Sequence, residues 1–310
     1  MEEKIEIMNL LQSKQVLEHE LQSFAYGSVE IRENESNKYI YVHYREDGVA
    51  LTKYVGEYSD ELYNLVLNNS IKAKQLKKQI REITKKLKQL NYTEEELSEK
   101  VEQNIDFAKR HLVDTIYKQA ILEGVATTFA DTESIIEGGK VNNMTSEDIL
   151  KIVNLKHAWE FILNKNVILS DTNFALLCEI NKMVEEGFYY TAGKVRNTPV
   201  TIGGTTWKPD LPIESVIKEE LEEIFSKELD DIDRAIELLL YTMKKQVFID
   251  GNKRTAVIYS NHYLISKGKG IIAIPAELTE KFKDLLIPYY EGKDENKIRE
   301  FIKEKCYMSI

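Results

Sequence analysis

The stretch Gln246-Val247-Phe248-Ile249-Asp250-Gly251-Asn252-Lys253-Arg254-Thr255-Ala256-Val257 constrains this chain most. It joins a charged turn to an apolar-periodic run, Ala256, Val257, Tyr259, Tyr263 and Leu264, so a helix is predicted to begin near Asn252. Gly251 and Asn252 tolerate positive φ, which lets successive amides curl into an anion-binding nest. A helix N-terminus adds free N–H groups and the positive end of a dipole. Lys253 and Arg254 supply two cationic donors, and a guanidinium can hold two phosphate oxygens at once. Asp250 is a hard oxygen ligand beside the nest, suited to Mg²⁺ shared with phosphates. Asp-Gly-Asn is also ordinary turn chemistry, so an exposed surface turn is the competing reading of these residues alone.

Other segments accompany this loop. Downstream stand Asn261, Gly268, Ile274-Pro275 and Tyr290-Glu291-Gly292. Upstream, Ala192-Gly193-Lys194-Val195-Arg196-Asn197-Thr198-Pro199-Val200-Thr201-Ile202-Gly203-Gly204 alternates at Val200 and Ile202 as a short strand does. Farther upstream lies Ser134-Ile135-Ile136-Glu137-Gly138. Together and in this order they resemble the Fic (Fic/Doc) family, which transfers phosphate-containing groups from nucleotides to protein hydroxyls. The loop resembles the family pattern His-x-Phe-x-Asp/Glu-Gly-Asn-Gly/Lys-Arg. Residues 192–204 resemble its target-docking flap, and residues 134–138 its inhibitory helix motif, Ser/Thr-x-x-x-Glu-Gly/Asn. The resemblance runs from about residue 115 to residue 305.

The resemblance implies a helical bundle with a β-hairpin flap, ATP and Mg²⁺ as ligands, and a protein target added to the flap as a strand. The flap residues would be Arg196, Val200, Ile202, Gly203 and Gly204. Phosphates would rest on Gly251, Asn252, Lys253 and Arg254, the metal on Asp250, and Glu137 would regulate. Lys283 and Tyr290 fall where the family places adenine-pocket residues, commonly Tyr and Asn. Three positions depart from the pattern. Gln246 stands in place of the catalytic histidine, and a carboxamide orients a hydroxyl but does not titrate near neutrality. Lys253 stands where AMP-transferring members carry glycine; lysine there is Doc-like and implies transfer of the γ-phosphate, yet Gly251 is kept where Doc-like loops carry alanine. Val257 replaces the second motif arginine. That leaves Glu137 to Lys253, Arg254 or a bound water, with an exposed helix-end acid before Gly138-Gly139 as the competing reading. Glu133 also takes the place of the motif Ser or Thr.

The expected function is therefore that of a Fic-type adenylyltransferase-like protein, binding ATP–Mg²⁺ and transferring AMP to a protein Ser, Thr or Tyr hydroxyl, with Gln246 in place of the base. A Doc-like phosphotransferase, a de-AMPylase in which Glu137 orients water, and a nucleotide-binding pseudoenzyme are the alternatives.

With 310 residues, 43% of them hydrophobic, the chain can bury a full core and two units are expected. A net charge of −10 argues against a general nucleic-acid binder. No apolar run reaches the roughly 18 residues of a membrane span, and the opening Met1-Glu2-Glu3-Lys4 lacks a secretory apolar region. Cys178 and Cys306 suggest neither a disulfide framework nor a zinc site. A cytoplasmic protein is the default expectation, and a homo-oligomer stays open.

Residues 3–24 are predicted helical on the spacing of Ile7, Leu10, Leu11, Leu17 and Leu21. Three alternating runs, 28–32, 38–44 and 51–55, separated by polar turns at Asn34 to Asn37 and Asp47-Gly48, predict a small antiparallel meander. His43 there reads as a satisfied strand histidine. Ile71, Leu76, Ile80, Ile83, Leu87 and Leu90 repeat near 3.5, as in a two-helix coiled coil, with a lysine-rich outer face. After a break at Asn91-Tyr92-Thr93, a second helix capped by Thr93, with Glu94 to Glu96 in its first turn, is predicted to complete a helical hairpin. Residues 1–112 form the expected N-terminal region. Residues 113–310 form the expected Fic-like domain, with an inhibitory-helix-like segment at 128–138. Helices are predicted at 146–164, 172–186, 213–225, 231–245, 253–267 and 277–291, making the chain mainly α. Trp159 and Phe161 read as core, and Trp207 as either a wall of the target groove or packing.

Overall fold

The computed structural model describes residues 2–22, 24–34, 37–46, 49–90, 92, 97–142 and 144–310. The chain divides into two compact units, Met1–Thr93 and Glu94–Ile310. The first contains α1 (Glu2–Gln22), β1 (Ser28–Asn34), β2 (Asn37–Glu46), β3 (Val49–Glu57) and α2 (Asp60–Gln89). Its strands form the antiparallel meander that the alternation predicts, in the order β1-β2-β3. Ile40 and Val42 on one face of β2 are fully buried, while His43 on the other bonds Thr52 Oγ1 at 2.8 Å and Glu30 Oε2 at 2.6 Å. α1 packs on α2. Val66, Ala73, Leu76 and Leu87 are buried on α2, whereas Ile71 is 58% exposed. The seam keeps its seven-residue rhythm but is centred on Ala73, where a small side chain lets a neighbour approach. On the lysine-rich face, Lys72 pairs with Glu20 and Lys77 lies 4.6 Å over the Tyr26 ring. The turn residues Glu35, Ser36, Asp47 and Gly48, the break at Asn91, and the proposed cap at Thr93 with Glu94 to Glu96 lie outside the described residues.

The second unit is a helical bundle: α3 (Glu99–Arg110), α4 (Leu112–Leu122), α5 (Phe129–Ile136), α6 (Ser146–Ile162), α7 (Lys165–Ile168), α8 (Phe174–Val184), α9 (Glu214–Ser226), α10 (Asp231–Lys245), α11 (Asn252–Ser266), α12 (Thr279–Tyr290) and α13 (Glu295–Phe301). A two-stranded antiparallel pair joins β4 (Ile271–Ile272) to β5 (Tyr307–Met308). The six helices predicted from residue 146 onward all form, with ends displaced by a few residues where caps such as Thr145, Asn173 and Asp230 fix the first turn. The described helix after the break starts at Glu99 on a Ser98 cap, and it packs on α4 and α11 within this unit.

α11 is the axis of the bundle. Nearly every residue along it is buried, and α3, α6, α7, α8, α10 and β4 surround it. Its buried amide and imidazole side chains are bonded, as a low-dielectric interior favours. Asn261 donates to Val257 and Ile272 carbonyls and accepts from the Ile272 amide, all at 2.8 Å, which seats β4. His262 bonds Thr172 and the Val167 carbonyl, and burial holds its pKa down at about 4, so it stays neutral. Trp159 and Phe161 are core. Among the described residues no helix is long and apolar enough to cross a membrane.

The segment from Ala192 to Ile213 differs from its sequence expectation. It contains no strand, and Val200 and Ile202 alternate without a partner. Pro199 removes a ladder donor and Gly203-Gly204 gives no side chain to pack, so neither neighbour helps a strand persist. The antiparallel pair of this unit is β4–β5.

Candidate functional site at the start of the central helix

α10 ends at Lys245, and Gln246 reverses the chain with φ of 48°. A non-glycine residue in this region is held by its surroundings. Here the Gln246 side chain donates to the Met243 carbonyl at 2.7 Å and accepts from Asn252 Nδ2 at 3.2 Å, and its backbone carbonyl accepts from Arg196 Nε at 2.6 Å. Asn252 then closes the loop. Its Oδ1 accepts from the Phe248 amide at 3.0 Å and its Nδ2 donates to the Phe248 carbonyl at 2.9 Å. Phe248 and Val247 point into the core. Asp250 Oδ1 accepts the Gly251 amide at 2.7 Å, and Gly251 opens α11 with φ of 72°. A Cβ on Gly251 would lie 2.3 Å from Glu185 Oε1, so glycine is required by both backbone and space.

Arg254 is 2% exposed and is the electrostatic centre of the site. Its Nη2 lies 2.7 Å from Glu185 Oε1 and 3.6 Å from Asp250 Oδ2, while its Nε lies 3.6 Å from Glu123 Oε2. Lys253 Nζ approaches Glu123 Oε1 at 3.3 Å. Burial pushes the Glu185 pKa up to about 7; Arg254 pulls it down, and Asp250 and Glu123 push it up again. Arg254 Nε, Glu123 Oε1 and Glu185 Oε1 are buried without a properly aligned hydrogen bond. Each of the three still has an ion-pair partner within 3.6 Å, so the cluster is held by charge rather than by aligned hydrogen bonds.

Glu123 and Glu185 are not among the residues selected from sequence. Glu137 does not take their place. It is exposed at the end of α5, its amide bonds the Glu133 carbonyl at 2.9 Å, and none of the ion pairs of Lys253 and Arg254 involves it. The Gly138 and Gly139 amides finish the same helix end, so the exposed helix-end reading of Glu137 describes what is seen. A signal for Glu123 existed: Leu122-Glu123-Gly124 repeats the ending of Ile136-Glu137-Gly138. Glu185 had none, since its role follows from α8 passing beside Gly251. Gln119, one turn before Glu123, donates to the Arg254 carbonyl at 2.7 Å and accepts from Trp159 Nε1 at 2.9 Å. Asn181 donates to the Asp250 carbonyl and to Thr255 Oγ1, and accepts from the Gly193 amide. These two buried side chains fix the loop from opposite sides. Val257 is 1% exposed and faces the core, away from any ion pair.

Of the flap residues, Arg196 is buried and each of its three guanidinium nitrogens donates to a main-chain carbonyl, of Gln246, Thr198 and Asp210. It clasps the flap base to the loop. Val200 and Ile202 are half-buried, and Gly203 and Gly204 are exposed. At the far end of the flap, Trp207 stacks on Tyr290 with centroids 5.6 Å apart and planes at 20°. Lys283 pairs with Glu280 on the surface of α12 at 3.0 Å, while Tyr290 is 3% exposed. The structure thus gathers Gln246, Asp250, Gly251, Asn252, Lys253, Arg254 and Arg196, and sets Glu137 outside that group.

Residues 171–264 match the model of the Fic/DOC family. That span runs from just before α8 to near the end of α11 and holds the whole 246–254 loop. No curated protein shows a significant match to the chain. Among solved structures, the chain is similar to Fic-1 (residues 134–508) from C. elegans, with TM-score 0.53, 17% identity and coverage of 79% of this chain and 77% of that one. A Fic domain containing signaling protein from Bacteroides thetaiotaomicron gives TM-score 0.53 at 18% identity, over 67% of this chain and 86% of that one. A Fic family protein from Desulfovibrio desulfuricans gives 0.50 at 12% identity, over 68% and 75%. At these identities the structures speak for the fold alone, a mainly α Fic-type bundle. Within that fold, residues 171–264 match the Fic/DOC family model.

Proposed function

We propose that the chain binds ATP with Mg²⁺ at the α11 N-terminus and is a Fic-type, adenylyltransferase-like protein directed at a protein hydroxyl, with the proton-accepting step impaired. The observation that carries this reading is the convergence of a positive-φ glycine, a helix N-terminus and a buried arginine with an unbonded Nε. An anion satisfies all three at once. Gly251, Asn252, Lys253 and Arg254 would cradle phosphates. Asp250, half-exposed at the loop tip, would hold Mg²⁺, whose remaining ligands would be phosphate oxygens and water. The metal would neutralise phosphate charge; everything else falls to this chain's own groups. The flap would present the target, and Glu123, rather than Glu137, would regulate by occupying Lys253 and Arg254.

Gln246 cannot accept a proton, and its amide is already spent on Met243 and Asn252. That observation favours a second reading, a nucleotide-binding pseudoenzyme. Calorimetry with ATP–Mg²⁺ tests the shared part: a parent chain without ATP affinity removes both readings. Intact-mass spectrometry of the Gln246→His, Glu123→Gly double variant, incubated with ATP and cell lysate, separates them. Restoring an imidazole should raise transfer by about 10²–10⁴-fold. A mass gain of AMP supports adenylyl transfer, a gain of phosphate the Doc-like chemistry implied by Lys253, and loss of AMP from a modified target its hydrolytic removal by water. Silence with intact ATP binding supports the pseudoenzyme.

A further inference from the structure

We propose that the outer face of α2 is a docking surface for the phosphate backbone of double-stranded DNA, held by a line of five cations, Lys74, Lys78, Arg81, Lys85 and Lys88. The surface lies in the first unit and is independent of the nucleotide reading above.

Three observations carry it. First, charge is segregated along the chain. The net charge is −10, yet the stretch from Lys72 to Lys88 carries eight cations and a single acid, Glu82. The five named residues follow one another at steps of four and three, so they form one line along the helix, on the side away from buried Ala73, Leu76 and Leu87. All five are exposed. At 1.5 Å of rise per residue the line is about 21 Å long. Second, the line is left largely unneutralised. Lys72 is taken up by Glu20 and Lys77 by the Tyr26 ring, and Lys78 approaches Glu82 at 3.9 Å. Among the described residues, Lys74, Arg81, Lys85 and Lys88 pair with no carboxylate. Like charges at these spacings repel and weaken a helix. A face that serves solubility alone mixes its signs, but Gln75 and Gln89 stand where glutamates would pair with Lys78 and Lys85. Third, the rest of the face selects the polyanion. No aromatic residue lies between Lys72 and Lys88, so a single strand finds nothing on which to stack its bases. The apolar residues of the stretch are buried or half-buried, so there is no apolar face to lie in a bilayer. Duplex DNA carries one charge per roughly 1.7 Å of axis, which sets about a dozen phosphates along a line of this length. Its major groove, about 12 Å wide, admits a helix, whereas that of duplex RNA is too narrow.

The test is fluorescence anisotropy of the full chain with a short labelled DNA duplex of arbitrary sequence, over about 50–200 mM salt. The expected result is binding whose log affinity falls with log salt at a slope of roughly −4.5, five cations at about 0.9 each. The triple variant Lys78→Gln, Arg81→Gln, Lys85→Gln should bind on the order of tenfold or more weakly at low salt, with a slope shallower by about one per cation removed. A control triple variant, Lys281→Gln, Lys297→Gln, Lys305→Gln, removes the same charge from exposed positions of the second unit and should bind as the parent does. Arginine at positions 78 and 85 should keep parental affinity. Glutamine is a good helix former, and each single change, such as Lys85→Gln, should by itself make the slope shallower by about one. A parent that binds no duplex at low salt, a line variant that binds as the control does, or single variants with the parental slope overturns the proposal. Tighter binding to the single strand, to duplex RNA, to polyglutamate or to phosphatidylserine vesicles than to duplex DNA also overturns it, each naming a different occupant.

Discussion

Two helix ends in this chain share a Glu-Gly ending after an aliphatic residue and have opposite surroundings. α4 closes on Leu122-Glu123-Gly124 and α5 closes on Ile136-Glu137-Gly138. Both glycines are left-handed, at φ of 77° and 78°, and both helices stop as such sequences should. Yet Glu123 lies beside Lys253 and Arg254, while Glu137 stands in solvent. The difference comes from the turn before. Gln119 sits one turn upstream of Glu123, and its bond to the Arg254 carbonyl sets that helix face against the start of α11. The residue one turn upstream of Glu137 is Glu133, exposed and without such an anchor. Both helices are packed in the bundle, and what differs is that only the α4 face meets the start of α11.

The largest expected effect tests whether the Glu123 end belongs to a coupled charge cluster. Arg254→Ala would strand Glu185 and Glu123 in a buried place without their cation. Breaking a buried pair by removing one partner costs about 3–5 kcal/mol. Urea denaturation should show a loss of that order, partly recovered in the Arg254→Ala, Glu185→Gln double variant. Glu137→Ala should leave the midpoint unmoved. A loss for Glu137→Ala equal to that for Arg254→Ala would abolish the contrast between the two ends.

The next effect is on pH. The Glu185 carboxyl is raised from 4.5 to about 7 in the folded chain, burial being the main cause. Between these values the folded state holds a proton that the unfolded state has released, so stability falls as pH rises through this window and levels off above about 7. At about 1.4 kcal/mol per unit, the swing is at most a few kcal/mol. Glu185→Gln should flatten that slope, measured as thermal midpoint against pH. Glu137→Gln should leave it intact, and an equal flattening by both would count against the cluster.

Much of this was legible in the sequence, for identifiable reasons. The loop could be read in part because Gly251 has a local job, a positive φ, whereas Asn252, expected to share that φ, instead closes the loop through its side-chain amide. Helices from residue 146 onward could be read because caps and periodicity are local signals too. What could not be read depends on which elements meet. Glu185 matters only because α8 passes Gly251. Arg196 resembles a target-facing residue, but its guanidinium meets three carbonyls brought together by folding. Val200 and Ile202 alternate as a strand would, yet an alternating pattern needs a partner strand to act on it, and the fold provides none there.

A smaller effect concerns ligand affinity. Glu123 competes with phosphate for Lys253 and Arg254, so Glu123→Gln should tighten ATP–Mg²⁺ binding by roughly tenfold, the equivalent of about 1.4 kcal/mol. Glu137→Gln should leave the dissociation constant unchanged. Calorimetry on the two variants is a direct comparison of the two ends, and tightening by Glu137→Gln alone would return the regulatory role to α5.

The smallest effect sharpens the comparison by showing where the ends are alike. Gly124 and Gly138 share nearly the same positive φ, and a Cβ at either would meet nothing within 4 Å. Gly124→Ala and Gly138→Ala therefore face the same backbone strain and no steric clash. A left-handed non-glycine residue costs roughly 1–2 kcal/mol, so each variant should lose about that much stability, and the two losses should agree. If they do, the backbone treats the two motifs as equivalent, and the difference in function lies wholly in what the glutamate side chain meets. ATP affinity then separates them. Gly124→Ala strains the turn that carries Glu123 and should alter ATP binding, whereas Gly138→Ala should change stability alone. A markedly larger loss at Gly124 in urea would mean that the charge cluster depends on that turn's conformation, and that the two ends differ in backbone as well as in side-chain company.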